Sequence, residues 1–188
     1  CSNDFSGKLI LPEGLVKIDT EAFRECRALT GELKMPSTLQ EIGRLAFWQA
    51  GFVCELKFPD SLLHLGSGAF GGCSGLYGEL RLPANLKTLG VNGGEGCFQD
   101  CKNLTGSLEI PQGVTTVPTS CFNGCWLGGT LTLHNGITAI GENAFANNGF
   151  KGELRLPKDL EVVSNGAFYN GDFSGYLVLP ENLYTIGD

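Results

Sequence analysis

Gly152–Phe168 reads GELRLPKDLEVVSNGAF, and this stretch decides the fold. Its pattern is Gly-x-Leu-x-Leu-Pro-x-x-Leu-x-x-Val-x-x-x-Ala-Phe, and near-copies recur along all 188 residues. The Phe column is Phe23, Phe47, Phe70, Phe98, Phe122, Phe145 and Phe168, with steps of 24, 23, 28, 24, 23 and 23 residues. The Pro column is Pro12, Pro36, Pro59, Pro83, Pro111, Pro157 and Pro180, and His134 stands at its sixth place. A fixed period of this length, rich in leucine, is the mark of a leucine-rich-repeat solenoid.

Each repeat has three parts. The first alternates apolar and polar residues, as in Leu33-Lys34-Met35 and Leu80-Arg81-Leu82. Period two predicts a strand with one buried face. A glycine usually opens it, and a proline closes it because proline has no N–H for a further ladder bond. The second part, L-x-x-I, as in Leu39/Ile42 and Ile137/Ile140, predicts a turn or a very short strand. The third, x-x-Ala-Phe, predicts one turn of 3₁₀ or α-helix, with the Phe filling space between layers. One copy buries too few apolar side chains to order itself, so neighbours must supply the rest.

The expectation is one β-rich solenoid domain over residues 1–188, right-handed, with about eight repeats of 23–24 residues and short 3₁₀ or α turns. The repeats lie near 1–25, 26–50, 51–72, 73–100, 101–124, 125–148, 149–170 and 171–188. Both ends cut a repeat, which predicts a fragment of a longer chain and end-to-end self-association through unpaired terminal strands. Gly90–Phe98, GVNGGEGCF, carries four extra residues and is expected to bulge.

Net charge is −7, which argues against a nucleic-acid partner, because such proteins need a basic face. No apolar run is long enough for a membrane-spanning helix. The eight cysteines contain no C-x-x-C pair and the two histidines, His64 and His134, are isolated, so no metal site is expected. Cys1, Cys26, Cys73, Cys101 and Cys125 follow the Phe column by three or four residues, sharing that place with Gly51, Gly149 and Gly171. Cys97 and Cys121 replace the Ala before Phe, and Cys54 replaces a strand-opening Gly. These small, apolar places predict buried free thiols.

Gly66–Gly71 reads G-x-G-x-x-G, but it is the repeat's own turn, with no βαβ unit after it. No nucleophile–base pair, catalytic residue or cofactor site is marked. Trp48, Trp126 and Tyr169 flank the Phe column and are expected to pack beside it. The outward strand positions form two charged columns: Glu32, Glu55, Glu79 and Glu153, beside Lys34, Lys57, Arg81 and Arg155. Ser107/Glu109 and Thr130/Thr132 interrupt them. Stacked like charges repel, and the neighbouring column of opposite sign offsets this. The stripe keeps an exposed face soluble, and it is also the candidate partner-binding face.

Leu29–Phe47, LTGELKMPSTLQEIGRLAF, and Leu104–Pro111, LTGSLEIP, resemble the BspA-like leucine-rich repeats of bacterial surface proteins. The resemblance covers the whole chain, with departures at His134, Cys54 and the four-residue insertion. It implies a leucine-rich-repeat solenoid that is exported or displayed and serves in non-enzymatic attachment to protein or glycan partners on host or microbial surfaces. A structural spacer presenting another domain is the alternative.

Overall fold

The computed structural model describes residues 5–91 and 94–188. Cys1 and two residues of the expected bulge, Asn92 and Gly93, lie outside the described residues. The chain is a parallel β-solenoid of about seven turns with no helix among the described residues.

The regular ladder is built from the second part of the repeat. Lys17–Ile18, Glu41–Ile42, His64–Gly66 and Thr88–Val91 form one four-stranded parallel sheet. Thr116–Val117, Ala139–Ile140, Val162–Val163 and Thr185–Ile186 form another. Register is like on like: Ile18, Ile42, Leu65 and Leu89 stack in the first sheet, and Val117, Ile140, Val163 and Ile186 in the second. These side chains are buried except Ile186, on the last turn. The two sheets meet where the Phe column takes its long step. A register shift at Leu65/Gly66, which pairs Gly66 with Val91, absorbs the start of the insertion.

The first part of the repeat, expected to be the main strand, is strand only in short pieces. Cys54–Glu55 and the pair Leu108–Glu109 with Leu131–Thr132 lie within it, Leu76–Glu79 and Lys151–Gly152 run into it across the opening glycine, and Asn103–Thr105 and Asp172–Phe173 precede that glycine. Alternating burial holds, since Leu33 and Leu56 point in while Lys34 and Lys57 point out. What fails is continuity. Gly31, Gly78, Gly106 and Gly152 sit at φ +81 to +88, a kink that only glycine adopts cheaply, and a proline follows within five residues. The four residues between kink and proline leave room for no more than two ladder residues, as at Leu108–Glu109.

The third part is not helical, and its hydrogen bonds show why. Leu45, Phe47 and Gln49 donate their N–H groups to Ser67, Ala69 and Gly71 of the next turn, each at 2.8 Å. Ala46, Trp48 and Ala50 donate back three residues, to Gly43, Leu45 and Phe47. Alternation between neighbour and self requires left-handed backbone at every fourth residue. Glu25, Gln49, Gly72, Asp100, Gly124, Asn147 and Asn170 form one such column, with φ between 53 and 69. A right-handed helical turn is incompatible with it.

Above this column the phenylalanines stack face to face. Centroids lie 5.3 Å apart from Phe23 to Phe47 and from Phe47 to Phe70, and 5.6 Å apart from Phe98 through Phe122 and Phe145 to Phe168. On the last turn the inward-register residues Leu177, Leu179 and Ile186 are exposed, while Leu154 and Val163, the counterparts of Leu177 and Ile186 one turn earlier, are buried.

The insertion is pinned from two turns away. Arg44 grips the Glu95 carboxylate with a two-pronged contact, its Nε at 3.2 Å from Oε2. Buried Ser67 donates to the Glu95 carbonyl at 2.5 Å. The Arg44 hydrogen bond, working against partial burial, holds the Glu95 carboxyl below its usual range. A lowered carboxyl stabilises the fold above the unfolded value of about 4.3, and the gain disappears as pH falls through the lowered one. Both side chains stay near one-third exposed, so the effect is at most about 1 kcal/mol. A Glu95→Gln variant should melt lower than wild type at pH 7 and converge with it in acid. Parallel profiles at all pH would show that the pair contributes nothing.

Candidate functional site

All twelve expected face residues lie along one side of the solenoid, on the first part of the repeat. The charged columns pair within each turn, across two residues. Lys34 Nζ lies 3.4 Å from Glu32, Lys57 Nζ 2.9 Å from Glu55, Arg81 Nη2 2.6 Å from Glu79 and Arg155 Nη2 2.9 Å from Glu153. Hydrogen bonding to Glu55 raises the Lys57 ammonium above its ordinary value, and Glu79 does the same for Arg81. The basic ends remain three-quarters exposed or more.

Like-on-like strand pairing of the Glu column does not occur. Glu55 is opposite Tyr77, and Glu79 is opposite Thr105, a stagger of two residues from the repeat alignment. The arms of Glu55, Glu79 and Glu153 instead lie over the opening glycine of the following turn. A β-carbon on Gly78 would meet Glu55 Cγ at 3.3 Å, and one on Gly106 would meet Glu79 Cγ at 2.7 Å. The glycine column therefore serves both as a kink and as a seat for the neighbouring acid.

The neutral turns continue the face. Ser107 Oγ accepts from the Thr130 backbone N–H at 3.0 Å and lies 3.2 Å from Thr130 Oγ1. Where charged turns give way to neutral ones, a hollow of about 400 Å³ opens between Glu79, Arg81, Ser107, Glu109 and Thr132. A second hollow of similar size on the same face, about 430 Å³ between Glu55, Lys57, Phe58, Glu79 and Arg81, adjoins it. Both volumes fall in the range of small-ligand or side-chain sites.

The remaining polar candidates have structural partners. His64 Nδ1 lies 2.9 Å from Thr88 Oγ1 across the ladder. His134 Nδ1 accepts from the Gly136 N–H at 3.1 Å, which leaves Nε2 to donate to the Val114 carbonyl at 3.0 Å. The ring thus rebuilds the turn that proline makes elsewhere. In Gly66–Gly71 the glycines are steric: a β-carbon on Gly66 would strike the Arg44 backbone, and one on Gly71 the Trp48 ring. Trp48 packs as expected. Trp126 and Tyr169 do not, each being 67% exposed.

A second concavity, on the turn side, was not anticipated from the residues. Its volume is about 570 Å³, and its lining includes Asp100, Asn123, Trp126, Asn147, Asn170 and Asp172. Asn147 Nδ2 donates to Asn123 Oδ1 at 3.0 Å, and Asn170 Nδ2 reaches Asn147 Oδ1 at 3.5 Å. The asparagines at Phe plus one or two residues were its only trace in the sequence.

Comparison with known families agrees with this geometry. The profile of the BspA type leucine rich repeat region, described as six copies, matches residues 2–93 and 91–188. The chain belongs to this family. A crystal structure of a leucine-rich repeat protein from Bacteroides ovatus ATCC 8483 superposes with a TM-score of 0.66 at 26% identity. The match covers 86% of this chain and 44% of that one. No curated protein matches the chain.

The BspA-type cysteine column takes a definite register in the structure. The places three residues after Phe are Cys26, Ala50, Cys73, Cys101, Cys125, Asn148 and Gly171, so Gly51 and Gly149 fall one residue outside it. The seven described cysteines are buried, and Cys54, Cys73, Cys97, Cys101, Cys121 and Cys125 are free thiols. Cys73, Cys101 and Cys125 donate their S–H groups to the carbonyls of Phe47, Phe70 and Phe98 at 2.9–3.0 Å. Burial pushes the Cys73 thiol up to about 12 and raises Cys101 and Cys125 as well, so these groups remain protonated donors rather than nucleophiles. Asn148 continues the ladder with an amide: its Nδ2 donates to Phe122 O at 2.8 Å, and its Oδ1 accepts from the Leu127 N–H at 3.0 Å.

Proposed function

We propose that this BspA-type array is a non-enzymatic binding and adhesion module, secreted or displayed on a bacterial surface. It recognises a protein or glycan partner through the face of Glu32, Lys34, Glu55, Lys57, Glu79, Arg81, Ser107, Glu109, Thr130, Thr132, Glu153 and Arg155. The observation that carries the reading is the hollow at the charge boundary, where Arg81 and Glu79 stand beside Ser107, Glu109 and Thr132. There a partner meets exposed charges of both signs next to uncharged hydroxyls. Covering these ion pairs removes them from water, so a partner must bring polar groups that share them, which gives the face selectivity for a polar partner.

The test is a screen of the purified chain against extracellular-matrix proteins and surface glycoproteins near physiological salt. Reversing Lys57 and Arg81 to Glu should weaken a saturable interaction by about tenfold and flatten its salt dependence. Unchanged affinity would place the partner elsewhere, and silence across the panel would favour a spacer.

A further inference from the structure

The concavity on the turn side has features that folding does not explain. Asp100, Asn147 and Asn170 stand in the left-handed column, where Asn and Asp are tolerated, so backbone geometry accounts for those three. It does not account for Asn123, which lies outside that column, nor for Trp126. Trp126 is held at φ +62, a conformation unfavourable for a bulky residue, and its ring is exposed rather than packed. Gly149 stands between Trp126 and Asp172 in the same column of the repeat, and its missing side chain opens the space between them. Its backbone does not need glycine: φ there is not positive, and an added β-carbon would meet nothing closer than 3.7 Å.

The walls are therefore an exposed indole on one side, a carboxylate about 10 Å away across two turns, and a row of amides along the edge. In that row Asn147 uses one N–H and one lone pair, which leaves it a second donor and a second acceptor, while Asn123 only accepts and keeps its whole amino group free. Donors and acceptors alternate at the spacing of the turns.

We propose that this concavity binds a neutral saccharide of one or two hexose units. A pyranose ring has a C–H face that covers an indole and a rim of hydroxyls that each donate and accept, which suits alternating amide groups. The volume of about 570 Å³ is that of a small-ligand site. Asp100 and Asp172 against Lys102 leave the lining acidic, which disfavours sialic and uronic acids and nucleic-acid phosphates. The two carboxylates are three turns apart, about 14 Å, too far to share one metal ion. This site lies away from the charged face and does not depend on that face binding anything.

The experiment uses the full chain, a printed array of neutral glycans, and titrations with lactose, maltose and N,N′-diacetylchitobiose followed by tryptophan fluorescence. Trp48 is packed on Gly68 and Gly71, so a response reports on Trp126. The expected result is a saturable response to at least one neutral saccharide. Trp126→Ala and Gly149→Leu should each weaken it about tenfold or more on the array, with unchanged circular dichroism. The Lys57→Glu/Arg81→Glu variant should bind the saccharide normally. No binding to any neutral glycan overturns the proposal, and so does binding that survives both Trp126→Ala and Gly149→Leu.

Discussion

Phe122→Ala should destabilise the chain by about 4 kcal/mol, measured by urea unfolding. Phe122 is fully buried and stacks on Phe98 and on Phe145, each at 5.6 Å with ring planes within 9° of parallel. Removing its ring leaves a cavity in a column that cannot collapse, because the inter-turn hydrogen bonds hold the spacing on both sides. Phe122 N–H, for example, donates to Ala144 O at 2.8 Å. In a stacked array each turn touches only its neighbours, so a central defect separates two halves that no longer support one another. The variant should therefore unfold in a broader or two-step transition. Phe168→Ala is the control. That ring stacks on one neighbour of its column, Phe145, and is only partly buried, so its loss should cost about half as much. Equal costs at the two positions would mean that the phenylalanine column is not a continuous source of stability.

Asn148→Ala should cost about 3 kcal/mol, and Asn148→Cys markedly less. Asn148 is 4% exposed and its amide serves four backbone groups: Phe122 O, Phe145 O, Ala146 O and the Leu127 N–H. Alanine removes the two N–H groups shared among the three carbonyls and leaves the Leu127 N–H buried with no acceptor. Cysteine would restore the donor to Phe122 O, as Cys125 does to Phe98 O one turn earlier. Its sulfur can also accept weakly, as Cys54 Sγ does from Leu33 N–H at 3.4 Å. A result in which Cys and Ala are equally damaging would show that the column is filled for volume alone.

Much of the architecture was legible in the linear pattern. The Phe and Pro columns specified a stacked array, because a unit of about 23 residues with one apolar side can be stable only against copies of itself. Alternation in Leu33-Lys34-Met35 and its counterparts correctly divided inward from outward residues, so the composition of the charged face was readable too. The burial of the cysteines followed from the small residues that share their columns.

What the chain alone could not reveal depends on hydrogen bonds between turns. Strand and extended loop have the same side-chain alternation, and the difference is whether N–H groups find carbonyls next door. That favoured the L-x-x-I part, where Ile18, Ile42 and Leu65 align in register, over the first part, where no more than two residues between the opening glycine and the proline join a ladder. The Ala-Phe turn resembled a helical turn for the same reason. Only the alternation of partners, neighbour then self, forces Leu45, Gln49 and Asn147 into left-handed backbone. The amide-lined concavity was equally hidden. Asn123, Trp126, Asn147 and Asn170 lie on three different turns, and their meeting is decided by the pitch of the solenoid and the missing side chain at Gly149. Local periodicity thus determined the repeat and its buried face, while contacts between successive turns decided which segments became strands and where a ligand could be held.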